Sequence, residues 1–361
     1  MKPRVLQVIT VKMGYEGITM SVMRFMRHMP GVRCEIAAIA EPPAALRNEL
    51  AELGCLVHVM PPRLKSPVRY MIELTKLIRR EKFDIVHVHG NSCTLAIDLM
   101  AAYLGGAKVR AAHSHNSMCK FLKLHKLLRP AFDCLYTHAW ACGQEAGQWL
   151  FRNRPFNVAR VSTETARYAF DPEVRRRARA DMKLEGRLAI GSVANFNEQK
   201  NHKFMLEVFA EYLKHDPSAA LVLVGNGPLM EEVSARAREL GVSESVIMLG
   251  VRSDVPELIQ AMDIMLLPSL HEGFPGVLME WQCAGLRALV SDRVTRDTDL
   301  TGLLSFLPIE ITEPWVQALR NFEPDPDRAA TSEKAVQMIC DKGYDIARNA
   351  KMLEKFYMDC R

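Results

Sequence analysis

The sequence predicts an α/β protein made of two Rossmann-like domains, each a doubly wound, mostly parallel sheet, facing each other across a cleft. Three observations carry this expectation. Short apolar runs alternate with longer helical patterns, which puts helices on both faces of a parallel sheet. That alternation runs twice along the chain, broken by one polar, Arg-dense stretch. The chain has 361 residues, more than one ordinary core accommodates.

In the first half, Val5–Thr10, Cys34–Ile39, Leu56–Met60, Ile85–His89, Val109–Ser114 and His138–Ala141 read as buried strands. Helical periodicity falls between them, over Gly17–His28, Ala44–Leu53, Val68–Glu81, Thr94–Tyr103 and Phe121–Tyr136. The rhythm breaks near Thr163–Glu185, where FDPEVRRRARADMKLEGR reads as an exposed charged helix or linker. The pattern then resumes. Strands are expected over Leu188–Ala194, Ala220–Val224, Val246–Leu249, Ile264–Leu267 and Ala288–Ser291. Helices fit His202–His215, Leu229–Leu240, Val255–Met262 and Gly276–Ala284. After the Pro-rich break NFEPDPD, a last helix carries Ile346, Ala350, Leu353 and Tyr357 at helical spacing. The domain bounds that follow are 1–165, a linker over 166–187, a second domain over 188–340, and a helix over 341–361 packing back toward the first domain.

Composition narrows the class. Hydrophobic residues make up 48% and charged residues 25%, as in soluble globular proteins. The longest apolar candidate for a membrane span, Leu95–Leu104, is interrupted by Asp98. The start, MKPRVLQVIT, runs straight into a strand and lacks the marks of a signal peptide. Nine cysteines, an odd number without Cys-x-x-Cys spacing, read as reduced core thiols and not as a zinc site. A cytoplasmic protein is expected. Charge is uneven: residues 1–165 carry 23 Lys+Arg against 12 Asp+Glu, and the remainder 24 against 30. The first half is thus expected to face something anionic. Aromatics are only 7% and no recognition module appears, which argues against nucleic acid.

The strongest motif is PSLHEGFPGVLMEWQCAGLRALVSD, Pro268 to Asp292. A strand ends near Pro268, a turn follows through Gly273, Phe274, Pro275 and Gly276, and a helix starts at about Gly276. Free N–H groups and the helix dipole attract phosphate at such a start, and glycine lets the backbone come close. Two carboxylates flank the turn. Glu280, deeper on the helix, suits a ribose, and Glu272, at the loop tip, suits a transferred group. Gly225-Asn226-Gly227 reads equally as a phosphate loop or a plain strand-to-helix turn. His89 reads equally as a cleft residue or a structural one.

This segment resembles the donor site of glycosyltransferase family 4, retaining enzymes of the GT-B fold. Further matches are NEQKNHKFMLEVF (Asn197–Phe209), LVGNGPLMEEV (Leu223–Val233), VIMLGVRSDVPELIQAMDIMLLPS (Val246–Ser269) and GYDIARNAKMLEKFY (Gly343–Tyr357). The branch it resembles most builds bacterial exopolysaccharide, capsule or lipid-linked glycans. The resemblance implies that Glu272 contacts the donor sugar, Glu280 the ribose, and Lys200 the diphosphate. Backbone around Val251 and Arg252 would hold the base, and Gly225 would line the donor site. In the first half it implies a glycine turn at Gly14 and Gly17, in MGYEGITM, and a histidine at His115, in AAHSHNS. A histidine there bonds the donor sugar or moves the acceptor proton. A fixed Lys200 ammonium would offset charge building on the leaving diphosphate.

Three positions depart from the family pattern. Asn195 stands where an Arg is usual, Glu16 where the first paired glycine is usual, and Val161-Ser162-Thr163-Glu164 replaces an Asn-Gly-Ile-Asp-like turn. Asn195 keeps a donor and loses a charge. These departures motivate a second reading, a weak or inactive pseudo-enzyme that binds a sugar nucleotide or a partner transferase. A third, an epimerase on the same scaffold, fits the tail and the Lys200 region less well.

The first reading is transfer of a sugar from a nucleoside-diphosphate donor, UDP-linked, to a glycan or polyprenyl-linked glycan with retention. No protein nucleophile stands out, so front-face attack assisted by the leaving diphosphate is implied. No cofactor and no metal are expected: Asp297-Thr298-Asp299 and Asp325-Pro326-Asp327 read as turn polarity. The stretch Lys120–Tyr136 places Phe121, Leu124, Leu128, Phe132 and Leu135 on one face and Lys120, Lys123, Lys126 and Arg129 on the other. It reads equally as a helix packed on its own sheet or as a peripheral contact with the anionic cytoplasmic membrane face. Pro130 is expected to kink it.

Overall fold

The computed structural model describes residues 2–14, 17–272 and 274–360. It divides into two compact units, residues 1–162 with 343–361, and residues 163–342.

The first unit opens with β1 (Arg4–Ile9), α1 (Gly17–Arg27), β2 (Arg33–Ala38), α2 (Ala44–Glu52) and β3 (Val57–Val59). It continues through α3 (Pro67–Glu81), β4 (Ile85–Gly90), α4 (Ala96–Gly105), β5 (Val109–Ser114), α5 (Leu122–Leu135), β6 (His138–Ala141), α6 (Gln144–Phe151) and β7 (Asn157–Val158). The strands form one sheet in the order β3-β2-β1-β4-β5-β6-β7, and every pair is parallel. Strands buried on both faces are mostly apolar on both, as Val5, Leu6, Val8 and Ile9 of β1 are. One face packs Leu6, Val86, Val88 and Ala112 against Tyr70, Leu74 and Leu99 of α3 and α4. Complete burial of such a Leu or Val contributes about 1.5–3 kcal/mol.

The other face carries Val5, Ile85 and Ala111, covered by Phe25 of α1 and by the chain's last helix.

The second unit contains α7 (Thr165–Tyr168), α8 (Pro172–Asp181), β8 (Ala189–Val193), α9 (His202–Leu213), β9 (Ala220–Val224), α10 (Met230–Glu239), β10 (Val246–Gly250) and α11 (Val255–Leu258). It continues through β11 (Ile264–Leu267), α12 (Gly276–Cys283), β12 (Arg287–Ser291), β13 (Leu304–Leu307), α13 (Glu313–Arg320) and α14 (Arg328–Asp341). Its parallel sheet runs β10-β9-β8-β11-β12-β13. The chain then re-enters the first unit as α15 (Ile346–Asp359). There Ile346, Ala350, Leu353 and Tyr357 pack with Val5, Phe25 and Ile85.

Two expectations are revised. The Arg-dense stretch over 166–187 is no solvated linker. Asp171 accepts from the amides of Glu173 and Val174 to cap α8. Arg175 and Arg179 both pair with Asp263, at 2.5 and 3.1 Å, and donate to the carbonyls of Gln260, Met262 and Ala261. Guanidinium groups there satisfy the backbone just before β11 and tie α8 to the second unit. In α5, Pro130 sits inside the helix without ending it. The burial of α5 also departs from the expected stripe. Arg129 is buried and donates to the Leu150 carbonyl, while Phe121, Leu122 and Leu127 are exposed. Phe132 and Leu135 pack inward as expected.

All nine cysteines are free thiols. Among the described residues, no helix is long and apolar enough to cross a membrane.

Candidate functional site

In the second sheet, β8 lies between β9 and β11, so the strand order reverses there. Open α/β sheets bind ligands outside the carboxyl ends of strands at such a point. The loops that leave β8 and β11 carry Lys200 and Glu272.

Local contacts fix both loops. Asn197 caps a single helical turn, Glu198–Lys200, by accepting from the Lys200 amide at 3.1 Å. Gln199 donates to the His271 carbonyl at 2.8 Å, and its own carbonyl accepts from the Leu270 amide at 2.8 Å. These bonds zip the two loops together. The Lys200 ammonium pairs with Glu272 Oε1, to which Ser269 Oγ donates at 3.0 Å. The two side chains are only 16% and 10% exposed, so water screens the pair weakly. Residues separated by 72 positions thus meet in the loops that leave β8 and β11. His202 stacks on Phe196 at 4.2 Å next to this turn. Burial, helped by the Lys200 charge, pushes its pKa down to about 4. It is neutral near pH 7, and Lys200 is the cation of the turn.

Gly276 begins α12, with Pro275 as its N-cap residue. The amides of that first turn have no acceptor within the helix. Glu280 lies one turn further on and is 4% exposed. Arg167 of α7 is a residue the sequence reading missed, because it sits in the segment taken for a linker. Burial opposes its charge, but a hydrogen bond to Glu164 and the carboxylates of Glu164 and Glu280 hold its pKa above the usual value. Phe274 is half-buried beside this start. Gly273, and Glu16 in the first unit, lie outside the described residues.

The remaining expected donor residues surround the ends of β8, β9 and β10. Asn195 is exposed just past β8. Val251, half exposed, and Arg252 follow β10, and Arg252 is held in a two-pronged pair with Asp254 at 2.8 and 2.6 Å. Gly225 follows β9 at φ +138°, and a Cβ there would lie 2.0 Å from the Ala194 carbonyl oxygen. Its amide donates to the Gly250 carbonyl at 2.9 Å. Of the two readings of this loop, the turn is the one its contacts express: Gly225 locks three strand ends together and its N–H is already used.

The first sheet reverses its order between β1 and β4. Gly17 opens α1 beyond β1, with open space where a Cβ would project. His115 directly follows β5. It belongs to a histidine group that the register dictates: His87 and His89 alternate on β4, and His89 pairs with His113 of β5. His89 Nδ1 bonds His115 Nε2 at 2.9 Å, and His89 Nε2 bonds Gln7 Oε1 at 2.7 Å. His87 Nε2 bonds His113 Nδ1 at 3.2 Å, and His87 Nδ1 meets the Tyr357 hydroxyl at 2.5 Å. Burial holds His87, His89 and His113 well below the usual histidine range and pushes His115 down to about 4. All four rings are neutral near pH 7.

Nitrogens of His87, His89 and His113 lie within 4.8 Å of one another. The His87 and His89 rings stack at 4.6 Å with 9° between planes, so their in-plane lone pairs run side by side instead of converging. The group fits a hydrogen-bonded cluster better than a metal-ligand set.

The fold and these residues define a family, and sequence comparison agrees. Residues 15–143 match the profile "Glycosyltransferase Family 4" and residues 174–297 match "Glycosyl transferases group 1". The chain belongs to this family of retaining glycosyltransferases with the GT-B fold. Among its relatives, "Putative glycosyltransferase EpsF" of Bacillus subtilis is 31% identical over 98% of this chain and 96% of that protein. The Escherichia coli UDP-Gal:alpha-D-GlcNAc-diphosphoundecaprenol alpha-1,3-galactosyltransferase is 23% identical over 82% of this chain and 80% of that protein. The crystal structure of Anabaena HepE with UDP-glucose superposes with a TM-score of 0.78 at 15% identity, covering 99% of each chain.

Proposed function

We propose that this protein transfers a sugar from a UDP-linked donor to a glycan or polyprenyl-linked glycan, with retention of configuration. The observation that carries the proposal is the Lys200–Glu272 pair at the strand-order reversal of the second sheet, beside the start of the helix that bears Glu280. Two relatives support the donor and acceptor classes, since one is named for UDP-Gal and a diphosphoundecaprenol acceptor and HepE was crystallised with UDP-glucose.

On this reading the diphosphate draws Lys200 away from Glu272. Amides at the start of α12 take phosphate oxygens. Glu272 is then free to accept from a sugar hydroxyl, and Glu280 from the ribose. The bond from the anomeric carbon to the diphosphate oxygen breaks as the acceptor oxygen bonds the same face. The acceptor proton passes to the leaving diphosphate, whose charge Lys200 offsets. His115 of the first unit is a poor base with its pKa near 4, so on this reading it acts as a neutral hydrogen-bonding group. No cofactor or metal is proposed for this route.

A binding-only protein would also account for Asn195. Lys200 favours transfer, because a little-exposed cation that offsets charge on a leaving diphosphate serves the transition state more than the ground state. The experiment follows release of nucleoside diphosphate from a panel of sugar nucleotides. Nucleotide binding with no release from any donor would sink the transfer reading.

The exposed Met118, Phe121, Leu122 and Leu127, interleaved with Lys120, Lys123 and Lys126, support peripheral contact with an anionic membrane. Each lysine near such a surface contributes about 1 kcal/mol, so Lys123→Gln with Lys126→Gln should weaken liposome binding at least about tenfold in sedimentation at low salt. Equal binding by this double variant would remove the membrane from the proposal.

A further inference from the structure

The neutral histidines form two hydrogen-bonded arms, and both arms end on two groups remote in sequence, Gln7 of β1 and Tyr357 of α15. One arm is Tyr357–His87–His113, and the other is Gln7–His89–His115. Gln7 Nε2 joins them by donating to the Tyr357 hydroxyl at 3.2 Å. Every member except His115 is at most 4% exposed, so water cannot exchange for any of these partners.

A neutral imidazole donates from one nitrogen and accepts at the other. The direction of one bond therefore sets the next. A phenol is a far stronger acid than a neutral imidazole, so Tyr357 O–H donates to His87 Nδ1 across their 2.5 Å contact. With its proton committed, the Tyr357 oxygen accepts from the Gln7 amide, which turns Gln7 Oε1 toward His89 Nε2. His89 then donates from Nε2 and accepts at Nδ1. Its only way to bond His115 Nε2 is to receive that proton.

We propose that Tyr357 and Gln7 are positioning residues that hold His115 as its Nε2–H tautomer, leaving Nδ1 bare as a hydrogen-bond acceptor. A part for His115 in turnover rests on the transfer reading above; the tautomer does not. The same polarity makes His113 Nε2 a donor. That atom has no partner among the described residues, and His113 lines a small cavity with Gln7, Ser21, His89 and His115.

The test uses the full chain labelled with ¹⁵N-histidine, with the His115 signals assigned by their loss in His115→Gln. Long-range ¹H–¹⁵N spectra near pH 7 should give the Nε2–H pattern for His115. Tyr357→Phe leaves the Gln7 amide only its weak bond to Cys34 Sγ at 3.6 Å, so Gln7 can turn and a mixture of tautomers should result. Gln7→Met, close in volume, should do the same. Gln7→Glu still presents an acceptor to His89 and should keep the Nε2–H form. In Tyr357→Phe and Gln7→Met, kcat should fall about tenfold, the worth of one hydrogen bond, with UDP affinity unchanged. An Nδ1–H pattern in the unaltered protein overturns the proposal, as does an Nε2–H pattern that persists in both variants. If the tautomer shifts but neither these variants nor His115→Gln alters turnover, the tautomer assignment stands and the part of His115 in transfer falls.

Discussion

Both sheets reverse their strand order in the same way, one between β1 and β4 and the other between β8 and β11. What they hold at the reversal is opposite in kind. The second unit places a lysine and a glutamate in contact, little exposed and both charged. The first holds neutral imidazoles, an amide and a phenol, bonded to one another. A shared topology thus fixes where chemistry sits and leaves its character to a few side chains. A charged pair suits a diphosphate, which brings its own countercharge. A neutral network suits sugar hydroxyls, which need direction more than charge.

The sharpest way to break this comparison is Lys200→Ala. Loss of the cation proposed to offset the leaving diphosphate should lower kcat/KM about 10²–10³-fold in nucleoside diphosphate release. Turnover within twofold of the unaltered protein would leave the second unit's pair with only a structural role. Next comes His115→Gln, expected to cost about tenfold in kcat/KM, with UDP binding measured by calorimetry unchanged. A larger loss that follows protonation between pH 6 and 8 would contradict a pKa near 4. Glu272→Gln sharpens the other side. Without its carboxylate, Lys200 no longer chooses between partners, so UDP should bind about threefold tighter while turnover falls. Weaker UDP binding would show the pair to be a scaffold for the loop.

The smallest effect is on stability against pH. The folded-state pKa of His115 lies below the ordinary 6.5, so the unfolded chain takes up protons first as the pH falls. Stability present above about pH 6.5 is lost progressively down to about pH 4. His87, His89 and His113 are displaced in the same direction, and His202 does likewise in the second unit. Hydrogen exchange should therefore show β4 and β5 losing protection before β8 and β11 as pH drops through this window. The reverse order would mean the histidine network is not the weaker part in acid.

The second unit's candidate site was legible in the sequence because its signals are local. A strand end, a turn and a helix start lie within Leu267–Glu280, and Lys200 sits in its own motif. Their pairing was not legible, since 72 residues separate them. The histidines of β4 and β5 were visible as strand positions, but Gln7 and Tyr357, 350 residues apart, carry no pattern that links them. Other features hid behind weak or misleading composition. α14 buries Ser332 and Ala335 with Ile339, small residues that give little apolar periodicity. β7 has only two residues. Arg175 and Arg179 of α8 looked solvated because a guanidinium bound to backbone carbonyls has the same composition as one in water. Asp98, taken as a break in an apolar run, is the buried partner of Arg63 and Tyr70.

The return of α15 to the first unit has a consequence for biosynthesis. The first sheet leaves the ribosome early, yet the helix that covers Val5, Ile85 and Ala111 is encoded only after the whole second unit. Until residues 343–361 emerge, that apolar face and the histidine arms lack their cover, while residues 163–342 already hold everything their own core requires. The later half of the gene product can therefore mature first, and a nascent chain stalled before Tyr357 exposes a ready surface for chaperones.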